Sequence, residues 1–181
     1  MRLTPLAISG AYSVSLDAMQ DSRGSFGRLF CAQSFAEAGL ETNWVQTNLS
    51  RSARRGTIRG LHFQSAPFVE TKLLACLSGR IFDVLLDLRK DSVTFGSWIS
   101  IELDGKQGDA VYIPEGIAHG FQTLSDDVTL HYSHSRPYSP DHQGGVNFAD
   151  PTVGVDWPLP ADVLSVRDAG LPFFQDLKEV L

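Results

Sequence analysis

Residues 108–119 read GDAVYIPEGIAH, and the order of residue types in this stretch carries the reading of the fold. Gly108 starts a turn, an apolar run follows, Pro114 and Gly116 bend the chain, and His119 starts a returning run. Proline fixes φ and removes a backbone donor, while glycine accepts the positive φ of a tight turn. The stretch is therefore a strand–turn–strand unit. The same grammar extends outward. In 80–88, RIFDVLLDL, the side chains of Phe82, Val84, Leu86 and Leu88 share one face, with Asp83 and Asp87 on the other. In 98–103, WISIEL, Ile99, Ile101 and Leu103 alternate with Trp98, Ser100 and Glu102. In 128–134, VTLHYSH, one face carries Val128, Leu130, Tyr132 and His134. Period two over short runs marks half-buried strands. Further candidate strands are 43–50, 57–64, 71–77, 109–113 and 118–124, with turn signals such as SGR (78–80), LDGKQGD (103–109) and SDD (125–127) between several of the runs. Helix signals are scarce: SFAEAG (34–39), with Ser34 as cap and Gly39 as stop, and a second in the tail 164–181 around FFQDLKEVL.

That many short strands in 181 residues fit an antiparallel barrel or a double-sheet jelly roll. The spacing in 108–119, Gly, five residues, Pro, one residue, Gly, two residues, His, resembles the second signature of the cupin jelly roll. The expected fold is all-β, a cupin-type double-stranded jelly roll with a few short helices, in a single domain over 1–181.

Composition narrows the function classes. Hydrophobic residues make up 43% and charged residues 20%, ordinary for a soluble globular chain, and the net charge of −6 disfavours a nucleic-acid partner. Against that acidic background Arg51, Arg54, Arg55 and Arg59 cluster, either as a solvated loop or as a seat for a small anion such as phosphate. Cys31 and Cys76 are too few and too far apart for a disulfide framework or a cysteine metal site, so a reduced, cytoplasmic chain is expected. No segment approaches the roughly 18 apolar residues of a membrane span, and the first residues lack a signal-peptide core, so no membrane partner is expected.

The stretch RGLHFQ (59–64) places His62 in a strand, where it reads as a metal ligand, a general base or a hydrogen-bonded core residue. Metal-binding cupins carry His-x-His and a following Glu. Here Gln64 takes the second position, and near the third the polar candidates are Glu70 and Lys72. An ammonium in that pocket repels a divalent cation, so no metal is expected. Strict alternation also puts Arg59 and His62 on opposite faces. A bulge is needed if both line one pocket, and Gly60 is the place for it.

Taken together, DSRGSF (21–26), QTNLS (46–50), GTIRGLHFQ (56–64), TKLLACLSGRIFDVLLDLR (71–89), YIPEGIAHGF (112–121), HYSHSRPYSP (131–140), DWP (156–158) and LSVRD (164–168) resemble the nucleotide-sugar 3,5-epimerase family, of the dTDP-4-dehydrorhamnose 3,5-epimerase type. The resemblance implies a homodimer that epimerises a 4-keto sugar nucleotide at C3 and/or C5 without metal or organic cofactor. A hydrogen at either carbon is α to the ketone, so inversion needs a base on one face, an acid on the other and positive charge at the enolate oxygen. On the resemblance, His62 is the base, Asp168 orients it, Tyr132 is the acid and Lys72 is the cation. It also implies that Arg23 and Arg59 hold the substrate, that Gln46, Asn48 and His119 are further binding residues, and that Tyr138 stacks on the nucleobase. Phe26, Arg28, Gln143 and Arg167 complete the substrate-binding set it implies.

Two of these depart from the family, which carries acidic residues where this chain has Arg28 and Gln143. Thymine offers an N3–H that a carboxylate accepts, whereas cytosine offers an acceptor to which arginine donates. A CDP- or GDP-linked sugar therefore stands open beside a dTDP-linked one, as does epimerisation at a single carbon. A metal-dependent cupin enzyme and a non-catalytic sugar-binding cupin are the rival classes.

Overall fold

The computed structural model describes residues 1–177. The chain begins with β1 (Arg2–Pro5) and β2 (Tyr12–Ser15), followed by β3 (Met19–Asp21), β4 (Gly24–Phe26) and α1 (Ala32–Glu37). Then come β5 (Gln46–Ser52), β6 (Ile58–Gln64), β7 (Lys72–Ser78), β8 (Arg80–Asp87) and β9 (Trp98–Asp104). The remaining elements are β10 (Ala110–Ile113), β11 (Ile117–Thr123), β12 (Val128–His134), β13 (Gln143–Gly145) and α2 (Val166–Ala169). One sheet has the order β1-β2-β10-β7-β12-β5, a second the order β13-β6-β11-β8-β9, and β3 pairs with β4 in a separate hairpin. Neighbouring strands are antiparallel throughout both sheets. This is the jelly roll that the strand count implied. Within the 108–119 stretch, β10 belongs to the first sheet and β11 to the second, so the Pro114–Gly116 bend carries the chain from one sheet to the other. Gly116 has φ +82°, and a Cβ there would lie 2.3 Å from Cγ of Arg89.

The two sheets enclose a core in which Leu74, Val111, Ile113 and Leu130 of the first meet Ile81, Leu85, Leu103 and Phe121 of the second. Each such fully buried side chain contributes about 1.5–3 kcal/mol. Two outer clusters flank it. Phe35 of α1, with Phe30 and Trp44, covers Leu73, Ala75 and Tyr112 on the first sheet. Val146, Val153, Trp157 and Phe174 cover Leu61, Phe63, Val84 and Leu86 on the second. The alternation in 80–88 implied a half-buried strand with its aspartates on the wet face. Instead β8 is buried on both faces, and Asp83 and Asp87 point inward, both fully buried. The cause is the chain after β13, which roofs the outer face and leaves no wet side. Asp87 tolerates this because Arg89, Ser92 and Thr94 all donate to it. Burial pushes its carboxyl up, but those hydrogen bonds outweigh burial and hold it well below the usual carboxylate range.

The first helix starts three residues before the position expected. Its N-cap is Cys31, with no side-chain cap, and Ser34 lies inside it. Burial of Phe35 holds this start in place of a cap. It ends as the sequence indicated: Gly39 N–H donates to Ala36 O at 3.0 Å and Leu40 N–H to Phe35 O at 2.9 Å, the pattern of a Schellman stop. In the tail, the helix is α2, capped by the Ser165 side chain, and the FFQDLKEVL stretch shows a single 3-10 turn at Phe174–Asp176 before residues 178–181, which lie outside the described part. Strand β5 runs later than 43–50 suggested, and β1 to β4 and β13 have no counterpart among the expected strands. Among the described residues no helix is long and apolar enough to cross a membrane.

The bulge falls where the alternation required it. His119 pairs with His62 and Phe121 with Arg59, so two steps on β11 match three on β6. Gly60 has φ +121°, and a Cβ on it would lie 2.5 Å from Gly120 Cα and 2.8 Å from His119 O. No side chain fits between those backbones. Gly60→Ala should therefore destabilise the fold by about 2–4 kcal/mol, read as a lower urea midpoint with an unchanged slope.

Candidate active site

A cavity of about 380 Å³ opens between the sheets. The bulge matters first, because it brings both Arg59 and His62 of β6 to this cavity. His62 Nε2 donates to Asp168 Oδ1 at 2.8 Å, and Asp168 Oδ2 accepts the Gly60 N–H at 3.3 Å. Asp168 itself is only 4% exposed, and its backbone N–H is held by Ser165 Oγ at 3.0 Å. Ser165 is the cap of α2, so the helix start aims the carboxylate at the imidazole. Burial raises the Asp168 carboxyl, but the hydrogen bond and charge of His62, with the Gly60 amide and Ser165, hold it below its ordinary value. With Nε2–H committed to Asp168, the neutral imidazole carries its lone pair on Nδ1.

Tyr132 faces this dyad from the other sheet. The register of β12 places it between Asn48 of β5 and Leu74 of β7. Its ring lies edge-on to His119, centroids 6.0 Å apart, and parallel to His134 at 5.8 Å and 12°. Burial, helped by the charge of Asp83 and opposed by Arg59, drives the phenol far above its ordinary value. It is therefore a neutral O–H donor at any working pH. His119 Nε2 contacts Asp83 Oδ1 at 2.7 Å, making a second histidine–aspartate pair beneath the cavity. Burial raises the Asp83 carboxyl, against the pull of His119 and Lys72, and its Oδ2 has no hydrogen-bond partner among the described residues. Lys72 Nζ reaches Glu70 Oε1 at 3.3 Å and the backbone oxygen of His62 at 3.4 Å, spanning from one sheet to the other.

The nucleotide-side residues expected from the sequence divide into two groups. Asn48, Arg59, His119, Tyr138, Gln143 and Arg167 line the cavity. Gln46 stands just behind, accepting the Tyr138 N–H at 2.9 Å, and the Tyr138 hydroxyl donates to Gln143 at 2.6 Å. Arg23, Phe26 and Arg28 are not among the lining residues. Arg23 is bound to Asp21 at 2.6 Å on the exposed β3–β4 hairpin, Phe26 is 74% exposed, and Arg28 meets Cys31 Sγ at 3.6 Å. Gln64, at the second metal-ligand position of cupins, spends its amide on backbone: it donates to Phe68 O and Pro137 O and accepts the Ser139 N–H at 2.7 Å. Its role in this geometry is to anchor the loop that carries Tyr138. Among the described residues no group of three His, Cys, Asp or Glu is placed to hold a metal ion.

Two ionisable cavity residues were not assigned to the site from the sequence, His134 and Glu70. The period-two face shared by Val128, Leu130, Tyr132 and His134 already pointed His134 inward. Glu70, in the loop before β7, carried no alternation signal, although it fell near the third metal-ligand position of cupins.

A profile of the family described as dTDP-4-dehydrorhamnose 3,5-epimerase matches residues 5–176. A dTDP-4-dehydrorhamnose 3,5-epimerase of Sinorhizobium fredii is 41% identical over 158 residues, 87% of this chain and 81% of that protein. A dTDP-4-dehydrorhamnose 3-epimerase of Streptomyces niveus is 42% identical over 169 residues, 93% of this chain and 81% of that protein. The solved structure of a Legionella pneumophila dTDP-6-deoxy-D-glucose-3,5-epimerase in complex with dTDP-4-keto-L-rhamnose superimposes with a TM-score of 0.92 at 34% identity, covering 97% of this chain and 94% of that one.

The Asp168 pairing has a pH signature. Its folded-state value lies below the unfolded one, so its contribution to stability is complete above about pH 4 and drains away as pH falls through the folded value. Urea unfolding at pH 7 and pH 3 should show a loss on acidification that is smaller in Asp168→Asn than in the unsubstituted chain.

Proposed function

The chain belongs to the dTDP-4-dehydrorhamnose 3,5-epimerase family and is an isomerase, and from that premise we propose how its cavity inverts the carbons beside a sugar ketone. The substrate is a dTDP-linked 4-keto-6-deoxyhexose, as the names and ligands of its relatives indicate. One observation carries the mechanism: His62 of one sheet, paired with Asp168 of α2, and Tyr132 of the other sheet flank the same cavity. His62 takes the proton α to the ketone through Nδ1, and Asp168 stabilises the imidazolium that forms. Electrons move onto the ketone oxygen to give an enolate, and the Lys72 ammonium neutralises that oxygen. Tyr132 then returns a proton to the carbon from the opposite side, and the centre inverts. A phenol whose proton is held this tightly parts with it only to a strong base, which an enolate carbon is. Arg59 and Arg167 supply the positive charge for the diphosphate, and Tyr138 the face for the nucleobase.

Arg23, Phe26 and Arg28 join this scheme through a second copy of the chain. The hairpin that bears Arg23 and Phe26 is exposed and presents Met19 at 70% and Phe26 at 74% exposure, an apolar tip that a twofold partner would cover. Set into the neighbouring cavity, it would bring a cation and an aromatic ring to the nucleotide.

His62→Ala should abolish exchange of solvent deuterium into dTDP-4-keto-6-deoxyglucose, followed by NMR, while dTDP affinity stays within about threefold. The same spectra assign exchange to C3, C5 or both. In titrations, dTDP should bind more tightly than CDP or GDP, and Arg23→Ala should weaken dTDP by about tenfold although it lies outside its own chain's cavity. Equal affinity for the three nucleotides would sink the dTDP assignment, and an Arg23→Ala chain that binds normally would remove the hairpin from the site.

A further inference from the structure

Glu70 and His134 have no place in the proton transfers just described, yet they are part of the cavity wall. Their side chains are 9% and 12% exposed, and His134 Nδ1 meets Glu70 Oε2 at 2.8 Å while Lys72 Nζ meets Glu70 Oε1 at 3.3 Å. The strand register explains the meeting. His134 of β12 lies directly across from Lys72 of β7 and, on its other side, from Gln46 of β5. Glu70 precedes Lys72 by two residues, so the alternation of the extended chain sends both to the same face.

Hydrogen-bond polarity runs through this row without a break. The Tyr138 backbone N–H can only donate, so the Gln46 atom it meets at 2.9 Å is the carbonyl oxygen. The Gln46 amide nitrogen then donates to Asn48 Oδ1 at 3.2 Å, which orients the Asn48 amide nitrogen toward His134 Nε2, also at 3.2 Å. That nitrogen must accept, so the proton of His134 is on Nδ1 and is donated to Glu70. One backbone N–H beside the nucleotide face thus sets the orientation of four side chains in turn. The last of them, Glu70, holds the lysine. Burial raises the Glu70 carboxyl, but the His134 hydrogen bond and the Lys72 charge outweigh it and keep it below its ordinary value, so it remains an anion beside the ammonium.

Building on the epimerase reading above, we propose that Glu70 and His134 are positioning residues: Glu70 fixes the Lys72 ammonium at the enolate end of the cavity, and His134 ties Glu70 to the strand row that ends at Tyr138. Lys72 has three N–H groups. Glu70 and the His62 carbonyl take two and leave the third for the developing oxyanion. Without Glu70 the flexible four-carbon stem of Lys72 has a single backbone oxygen to hold it, and the ammonium loses its aim. The pair acts on the transition state through Lys72 and leaves nucleotide binding to other residues.

The test is a double-mutant cycle on deuterium exchange into dTDP-4-keto-6-deoxyglucose. Glu70→Gln should lower kcat about 10- to 100-fold with KM and dTDP affinity within about twofold, and in a Lys72→Ala chain the same change should cost no more than about twofold. His134→Phe, which keeps a flat ring beside Tyr132 but removes both hydrogen bonds, should behave alike at about tenfold, and it stands in if Glu70→Gln fails to bind dTDP through misfolding. Equal losses in the presence and absence of Lys72, or a rise in KM with kcat intact, would overturn the inference while leaving the epimerase reading in place. No exchange by the unsubstituted chain would overturn both.

Discussion

A carboxylate enclosed between two apolar sheets keeps its charge only beside a cation or several hydrogen-bond donors, and that constraint organises the interior of this protein. Each acid at or beneath the cavity is answered by a base from another element. Asp168 of α2 meets His62 of β6, Asp83 of β8 meets His119 of β11, and Glu70 meets both Lys72 of β7 and His134 of β12. The pairs lie within a sheet or tie it to a flanking segment, while the sheets themselves meet through aliphatic packing and the contact of Lys72 Nζ with the His62 oxygen. Losing one member of a pair would leave its partner buried and unanswered, which costs more than the pair contributes. The same pairs include the residues proposed as general base and oriented cation. Structural necessity and chemistry draw on the same residues.

The second controlling feature is the close approach of β6 and β11. At Gly60 and Gly120 the backbones come too near for any Cβ, and the extra residue in β6 turns Arg59 to the side occupied by His62. An unbulged strand would divide His62 and Arg59, the proposed base and phosphate-binding arginine, between inside and outside. The Gly60 amide also donates to Asp168, so the bulge helps hold the carboxylate that orients His62.

Much of the site was legible because its residues sit on strands with clear alternation or in matched motifs. His62, Lys72, His119 and Tyr132 all reach the cavity that the sequence implied. The elements that escaped did so for identifiable reasons. β1, β2 and β13 are three or four residues long, too short for a period to show. α1 begins without a capping side chain, because the burial of Phe35 under Phe30 and beside Tyr112 substitutes for one. Asp83 and Asp87 misled in the opposite direction: an aspartate every four residues beside an apolar row looks solvated until the segment 146–177 covers the far side of the strand.

The sequence by itself determined the strand–turn–strand unit at 108–119, the inward face of β12 and the need for a bulge at Gly60, since each follows from local steric preference or from the period of two. Only the tertiary structure decided which side chains complete one another. The approach of Asp168 to His62 spans 106 residues and that of Glu70 to His134 spans 64, and no local rule links positions so far apart. Such pairs are set by strand register and by the order in which two sheets are threaded, which are properties of the whole chain.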